Sequence, residues 1–546
     1  SNVSKNTQTA QSPLLLNSFF SSSLLVFSSS LLFIFSSRLL FIFSSSSRLL
    51  FFFFSSSSLL LLLQMLVPLL LATLLVAFYW LFSPQSSTLP GPAPRWMLGN
   101  LLDFDFAESW VSFAKLAQTY GRTYRLKLGF LRGSGNTVLT SDPEMLKELF
   151  TKHFKKTCRG ATFQLIEPFF GAESFFLKDG PEWENRRKFF HRLVSFDHLK
   201  KMVPKMHASI HRMCSVLDEA AETPLKPVDM KVLCQRLAFD LNCALSFGYY
   251  DENTITGDGE LDHVFDVIWE HFTWRALFGR VPYWKWIRTP AVRAFDHAMS
   301  LLEAKMAHII KSREQQKELN DSQTDFLSAM IRYNRTNPAD PFGPKEIRDQ
   351  VFTFLNGGTD TSSSTFIWMT ILLSQHPHVM RRVRKEVQTV LGDRRELTYE
   401  DIGKLTYCSY VVKETWRLFP PATAASRMAI EDIVLKDFVI PKGWEVWASI
   451  YALHRDPEIY ENPDTFHPDR WETLKVSSYE YFVFSGPPRL CLGNQIAIME
   501  AVGVLALVLA RYDFCVTPTK PGAIRPGKGV LLHPHESVLM NVFPLH

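Results

Sequence analysis

A single cysteine, Cys491, sits near the end of the run Phe484-Ser485-Gly486-Pro487-Pro488-Arg489-Leu490-Cys491-Leu492-Gly493, which leads straight into the largely apolar stretch 494–500. Glycine and proline ahead of the sulfur predict a tight loop. The residues after it predict a helix whose first amides and positive dipole end point back at the sulfur and favour thiolate over thiol. A thiolate held this way is suited to a heme iron, where it pushes electron density toward a bound oxygen. Arg489, two residues earlier, has the planar fork that pairs with a carboxylate such as a heme propionate. Taken alone, a cysteine before a helix also suits a buried structural thiol.

The whole loop resembles the heme-binding signature of the cytochrome P-450 family, Phe-x-x-Gly-x-Arg-x-Cys-x-Gly, with Phe484, Arg489, Cys491 and Gly493 matching. The resemblance implies heme b as cofactor, Cys491 as the iron ligand, and Phe484, Arg489 and Gly493 as further residues of the cofactor site. The signature's first glycine falls at Pro487, with Gly486 one place early. Proline fixes φ and has no N–H. The bulge is therefore expected to be drawn differently or to tolerate the change through Gly486, with the thiolate-directed amides coming from residues after Cys491.

Three further matches lie upstream. In Lys413-Glu414-Thr415-Trp416-Arg417-Leu418-Phe419-Pro420-Pro421, Glu414 and Arg417 are three apart on a helix that Pro420 ends, so their heads share a face. Such pairs are common on surfaces, where they contribute little. Phe466-His467-Pro468-Asp469-Arg470-Trp471 resembles the family's meander segment. The resemblance implies that Glu414, Arg417 and Arg470 form a buried structural network.

The stretch Gly357-Gly358-Thr359-Asp360-Thr361-Ser362 lies inside a long apolar segment, from about 346 to 375, that reads as one helix. Two glycines and four hydroxyl or acid residues are poor helix-interior choices. They suit a place where something fits against the backbone and a hydroxyl bonds back to the preceding turn. On residues alone, a turn splitting two helices reads equally well. The stretch resembles the family's oxygen-handling segment, which implies catalytic roles for Thr361, as the hydroxyl beside the oxygen, and Asp360, as the proton relay. Trp183 and Arg187, four apart after Lys178-Asp179-Gly180, resemble the family's Trp-x-x-x-Arg pair at a heme propionate, and Arg427 resembles another propionate contact.

These positions run from Trp183 to Gly493 and are expected to converge on one cofactor. The fold class expected is therefore mainly α: a cytochrome P-450-like single large helical domain over 96–546 with small peripheral β-sheets. Strand signals fall at 122–128, 432–441 and 445–449. A net charge of +5, with no basic stripe, gives no argument for nucleic acid. The seven cysteines have neither zinc spacing nor a disulfide framework, which fits a reducing, cytosol-facing domain.

Residues 14–63 are almost wholly Ser, Leu and Phe, whose codons can be built from pyrimidines alone, and the first methionine is Met65. Residues 1–64 accordingly read as a low-complexity leader that is a conceptual translation, with Met65 as the start. Residues 65–82 are uncharged and near bilayer-spanning length, with Tyr79 and Trp80 suited to the membrane interface, so they are expected to be a transmembrane helix. A cleaved signal peptide is the competing reading, against which stand the missing charged start and the missing small-residue cleavage site. Residues 83–95, with Leu89-Pro90-Gly91-Pro92-Ala93-Pro94-Arg95, read as a stiff proline-rich hinge. This resembles microsomal members of the family and implies a single-pass anchor in the endoplasmic reticulum with the catalytic domain in the cytosol.

The resemblance implies a monooxygenase that inserts one atom of dioxygen into a lipophilic substrate such as a fatty acid, sterol or terpenoid. Electrons would come from NADPH–cytochrome P-450 reductase, with cytochrome b5 as an accessory donor, since the chain has no dinucleotide fingerprint of its own. A heme-thiolate isomerase or dehydratase acting on a hydroperoxide, and a non-catalytic membrane heme protein, are the alternative classes. The aromatic-rich region 245–286 is expected to be substrate wall or lipid-docking surface, and the loop 158–176 to line the cavity.

Overall fold

The computed structural model describes residues 88–545, apart from 97, 106–107, 129–134, 224–225, 258, 260, 278–285, 317, 321–322, 518–523 and 528–530; before residue 83 it describes a helix and the backbone of four strands within 24–53. The chain divides into two units, Ser1–Ser83 and Pro84–His546.

In the first unit the helix spans Ser56–Phe82, so it begins nine residues before Met65 rather than at it, and it carries Pro68 inside. Its segment Leu66–Tyr79 is apolar and exposed. The four strands form an antiparallel meander.

The second unit is mainly helical. Its axis is the 32-residue helix Pro344–Gln375, here the central helix, which starts with proline in its first turn and buries most of its length. It stays continuous through the two glycines, so the turn reading is corrected: neighbouring packing outweighs the poor local propensity. Helix Met230–Phe247, buried on nearly every face, packs along it. Helix Asn494–Leu507, which follows the Cys491 loop, is apolar all round because it is enclosed in the core with Leu505, Val502 and Met369.

The peripheral sheets are small. A five-stranded sheet runs in the order Thr123–Lys127, Asn136–Thr140, Glu445–Ser449, Ala424–Ala429, Thr157–Cys158, with the second and third parallel and the rest antiparallel. The signal at 432–441 resolves into two strands, Ile433–Leu435 and Phe438–Ile440, which form a hairpin. A third sheet joins Tyr512–Val516, Leu539–Pro544 and Val228–Asp229.

Two expectations need correction. The segment read as a stiff hinge is packed down over 89–95: Leu89 is buried, Arg125 N donates to Pro90 O at 2.7 Å, and Asn100 Nδ2 donates to Pro92 O at 3.2 Å. Gly91 takes φ +150° because a Cβ there would meet Arg125 O at 2.3 Å. The region 158–176 is not an open loop either. It contains helices Ala161–Leu165 and Glu167–Phe170, and Phe169 is fully buried against Phe265, Trp269 and Phe272. Phe247, Phe265 and Phe272 share that core, whereas Tyr250 and Trp286 are exposed. Phe278, Tyr283, Trp284 and the Trp274 side chain lie outside the described residues.

Candidate active site

The Cys491 loop is built on aromatic packing. Gly486 lies so close to Tyr479 and Phe482 that a Cβ would sit 2.9 and 3.0 Å from their rings, and Ser485 takes φ +63°. The glycine requirement has therefore moved one place before Pro487. Cys491 N donates to Phe484 O at 2.9 Å, and the Phe484 ring packs edge-on against Trp416 at 5.1 Å. Cys491 keeps accessible surface although protein encloses it deeply enough that burial pushes its thiol up, so the sulfur faces an interior space. The Gly493 N–H and the Arg187 charge act in the opposite direction. The expected amide is therefore present, but desolvation outweighs it. All seven cysteines are free thiols.

Around this loop the fold gathers arginines from four distant segments. Asp179 stands at the N-cap of helix Gly180–His191, yet its carboxylate makes no capping bond. It accepts instead from Arg489 Nη2 at 2.6 Å and Arg427 Nη1 at 3.1 Å. Arg489 also donates to Lys178 O at 2.6 Å, and its guanidinium lies 3.9 Å over the buried Trp183 ring. Arg187, one turn beyond Trp183, donates to Leu490 O at 2.5 Å. Arg159 lies between the Phe163 and Phe176 rings and donates from Nε to Phe176 O at 3.0 Å. Burial pushes the Arg489 guanidinium down to about 9, and burial with the charges of Arg489 and Arg427 pushes Arg159 well down. Thus Trp183, Arg187, Arg427 and Arg489 come together as expected. Arg159 and Asp179 were missed; their only signal was proximity to Trp183 in sequence.

Along the central helix Phe354, Gly357, Gly358 and Thr361 keep accessible surface, while the other residues of 351–373 are buried. That i, i+3, i+4, i+7 spacing is a single open stripe. Thr361 Oγ1 donates to Gly357 O at 2.7 Å, the expected back-bond to the preceding turn. Asn242, on the neighbouring helix, supports the stripe from behind: its Nδ2 donates to Phe354 O at 3.0 Å and Leu355 O at 2.9 Å. A Cβ on Gly358 would meet Asn242 at 2.7 Å. Asp360 is 1% exposed, and its Oδ1 lies 2.9 Å from Nε2 of His533, a partner with no signal in the sequence.

Glu414, Arg417 and Arg470 are buried together. Arg417 donates to both Glu414 oxygens at 2.9 and 2.8 Å, and Arg470 Nε to Oε1 at 3.0 Å. Trp471 Nε1 and His467 N complete the shell of the carboxylate, each at 3.0 Å. Remaining guanidinium donors reach the carbonyls of His454, Pro463, Thr465 and Glu461.

The donor set fits heme b. Two propionates call for cations, and here, among the described residues, the guanidinium groups of Arg427 and Arg489 share the Asp179 carboxylate while Arg187 has none, and the buried Arg489 Nε has no hydrogen-bond partner. A flat macrocycle calls for bare backbone, and apart from their own chain neighbours no atom of the described residues lies within 4 Å of where a Cβ would stand on Gly357 or Gly493.

A family model described as cytochrome P-450 matches residues 89–540. Among the relatives, protein LUTEIN DEFICIENT 5, chloroplastic, of Arabidopsis thaliana is 26% identical over 451 residues, covering 79% of this chain and 74% of the relative. Taurochenodeoxycholic 6 alpha-hydroxylase of Sus scrofa is 25% identical over 488 residues, covering 86% and 94%. Cytokinin hydroxylase of Arabidopsis thaliana is 26% identical over 469 residues, covering 81% and 90%.

Proposed function

Since the chain belongs to the cytochrome P-450 family, and is thereby a heme-binding monooxygenase, we propose that Cys491 is its thiolate ligand and that it hydroxylates a lipophilic molecule at the open stripe of the central helix. The observation that carries the reading is the juxtaposition of the Cys491 sulfur, the surplus of buried arginines and bare backbone at Gly357 and Gly493.

Bound heme supplies the reductive activation of dioxygen and the insertion of one oxygen atom into a C–H bond. Arg187, Arg427 and Arg489 would hold the propionates of bound heme, with Trp183 stacked under Arg489. Phe484 and Gly493 shape the loop at the ligand. Asp360 and Thr361 move protons across the stripe, because a hydroxyl bonded back to Gly357 O can turn toward a reacting oxygen without unwinding the helix. Glu414, Arg417 and Arg470 are a structural lock that fixes the segment leading to the Cys491 loop.

Substrate accounts for one oxygen atom; two electrons and two protons carry the other to water. The electrons come from NADPH–cytochrome P-450 reductase, with cytochrome b5 as accessory donor. The exposed apolar helix through 66–79 supports a single-pass anchor in the endoplasmic reticulum membrane, with the catalytic domain facing the cytosol. Fatty acids, sterols and terpenoids are the substrate classes, a range consistent with relatives named for hydroxylating a bile acid and a cytokinin.

The test is to incubate heme-loaded protein with reductase, NADPH, isotopically labelled dioxygen and a panel of these lipids. One labelled atom in a hydroxylated product is expected. Turnover of a hydroperoxide without reductase would make it an isomerase or dehydratase instead, and absence of NADPH-dependent oxygen uptake would make it a carrier.

A further inference from the structure

Asp360 does not end the chain of polar groups at the open stripe. The segment 531–533 crosses the central helix and is fastened there by one carbonyl: Leu532 O accepts from Ser364 Oγ at 2.5 Å and Trp368 Nε1 at 2.7 Å. Ser364 and Trp368 lie one and two turns beyond Asp360, and Leu532 N is held in turn by Pro421 O at 2.9 Å. This clamp sets the next side chain, His533, over Asp360, with Nε2 at 2.9 Å from Oδ1. Both groups are nearly enclosed, at 11% and 1% side-chain exposure. Both ring nitrogens of His533 and Asp360 Oδ2 are buried and make no aligned hydrogen bond among the described residues, so Nε2 and Oδ1 meet as an ion-pair contact.

We propose that His533 is the positioning partner of Asp360: it aims the carboxylate and returns to it each proton that Asp360 passes toward Thr361. This rests on the reading of Asp360 and Thr361 as the proton-handling pair. In one cycle Asp360 gives up a proton at the stripe, the imidazolium gives its Nε2 proton to Asp360, and one solvent proton returned to Nε2 restores the imidazolium. No bond other than those to hydrogen changes.

The groups that face His533 are suited to keeping it charged. Asp360 faces it from the central helix, Asp266 from helix Val264–Leu277, and Lys231 from helix Met230–Phe247. Burial and Lys231 disfavour the imidazolium, but the two carboxylates outweigh them and the imidazole is raised. Asp266 is itself bound by Lys231 Nζ at 2.8 Å, Gln235 Nε2 at 3.1 Å and the exposed His263 Nδ1 at 3.2 Å. Asp266 thereby joins the exposed His263 to the buried Lys231.

The test compares holoenzymes of wild type, His533→Gln, Asp360→Asn and Thr361→Ala. Glutamine can still donate to Asp360 but cannot relay a proton. With whichever panel lipid gives the largest substrate-induced spectral shift, His533→Gln should keep its heme content while product per NADPH falls about tenfold, below the usual range for a positioned proton-transfer group because the relay acts at one remove. A readout independent of turnover is the melting temperature. A raised imidazole stabilises the fold below its ordinary pKa, and that contribution fades as pH rises through the raised value. Wild type should therefore melt above His533→Gln at mildly acidic pH, and the gap should narrow as pH rises. Should His533→Gln fail to hold heme, Asp360→Asn serves in the thermal test, since it removes the same pair. Coupling and melting profile unchanged in His533→Gln, with Thr361→Ala uncoupled, would overturn the inference and leave the reading of the pair intact. Full coupling in Thr361→Ala as well would overturn that reading.

Discussion

Ser362 Oγ donates a 2.6 Å hydrogen bond to Glu500 Oε2, joining the central helix to the helix that follows Cys491. The carboxyl is buried, and that burial pushes it up from 4.5 to about 7 against the pull of the Ser362 bond. One buried carboxyl thus spans the central helix and the helix that follows Cys491.

That acid makes stability depend on pH. A raised carboxyl means the folded state holds a proton more tightly than the unfolded chain, so stability is full at the acid end and falls as pH rises from 4.5 to about 7. The difference corresponds to about 3 kcal/mol. Glu500→Gln should match wild type near about pH 5 and melt above it near about pH 8. Parallel melting curves across the range would show that Glu500 ionises without cost.

Cys491→Ala should abolish the red-shifted absorbance band of the reduced carbon monoxide complex, because only a thiolate supplies that electronic push. The arginines and bare glycines remain in the variant, so some heme should still bind. A persistent red-shifted band would place the ligand elsewhere.

Glu414→Ala leaves two buried guanidinium groups without their carboxylate, and Arg470→Ala leaves Glu414 with one ionic partner. Removing one member of a buried ionic set costs about 3–5 kcal/mol, a large share of what holds a domain together. Little folded holoprotein is expected from either variant. Full heme content and an unchanged melting temperature would sink the structural role.

Thr361→Ala deletes a hydroxyl that donates to Gly357 O, and touches neither the Cys491 loop nor the arginines. Heme content and substrate affinity should hold, while reducing equivalents are diverted to hydrogen peroxide. Positioned proton transfer contributes about 10²–10⁴ to the assisted step. Product and peroxide in wild-type proportion would reduce Thr361 to a residue of the helix wall.

What the sequence disclosed was what it holds contiguously. The Cys491 loop, the Glu414–Arg417 spacing and the Gly357–Thr361 stretch each carry a pattern within a few residues, and the central helix shows as a long apolar stretch, although its continuity through the two glycines is settled only by packing. Hidden were the partners that meet only through folding. His533 lies in a segment without periodicity, Asp179 looks like an ordinary N-cap, and Asn242 is one of several polar residues on its helix. The proline-rich stretch at 89–95 was misjudged because stiffness is readable locally whereas docking onto Arg125 is not.

The arginine cluster also fixes when this protein can become functional. Asp179 and its partner Arg489 are 310 positions apart, so an emerging chain cannot complete this pair until Arg489 has been made. At about 5–20 residues per second, that wait is roughly 15–60 s. Non-local pairing of this kind comes late in folding. The early segments with Arg159, Trp183 and Arg187 cannot close a pocket on their own, and cofactor loading becomes an event of the finished polypeptide rather than of the nascent one.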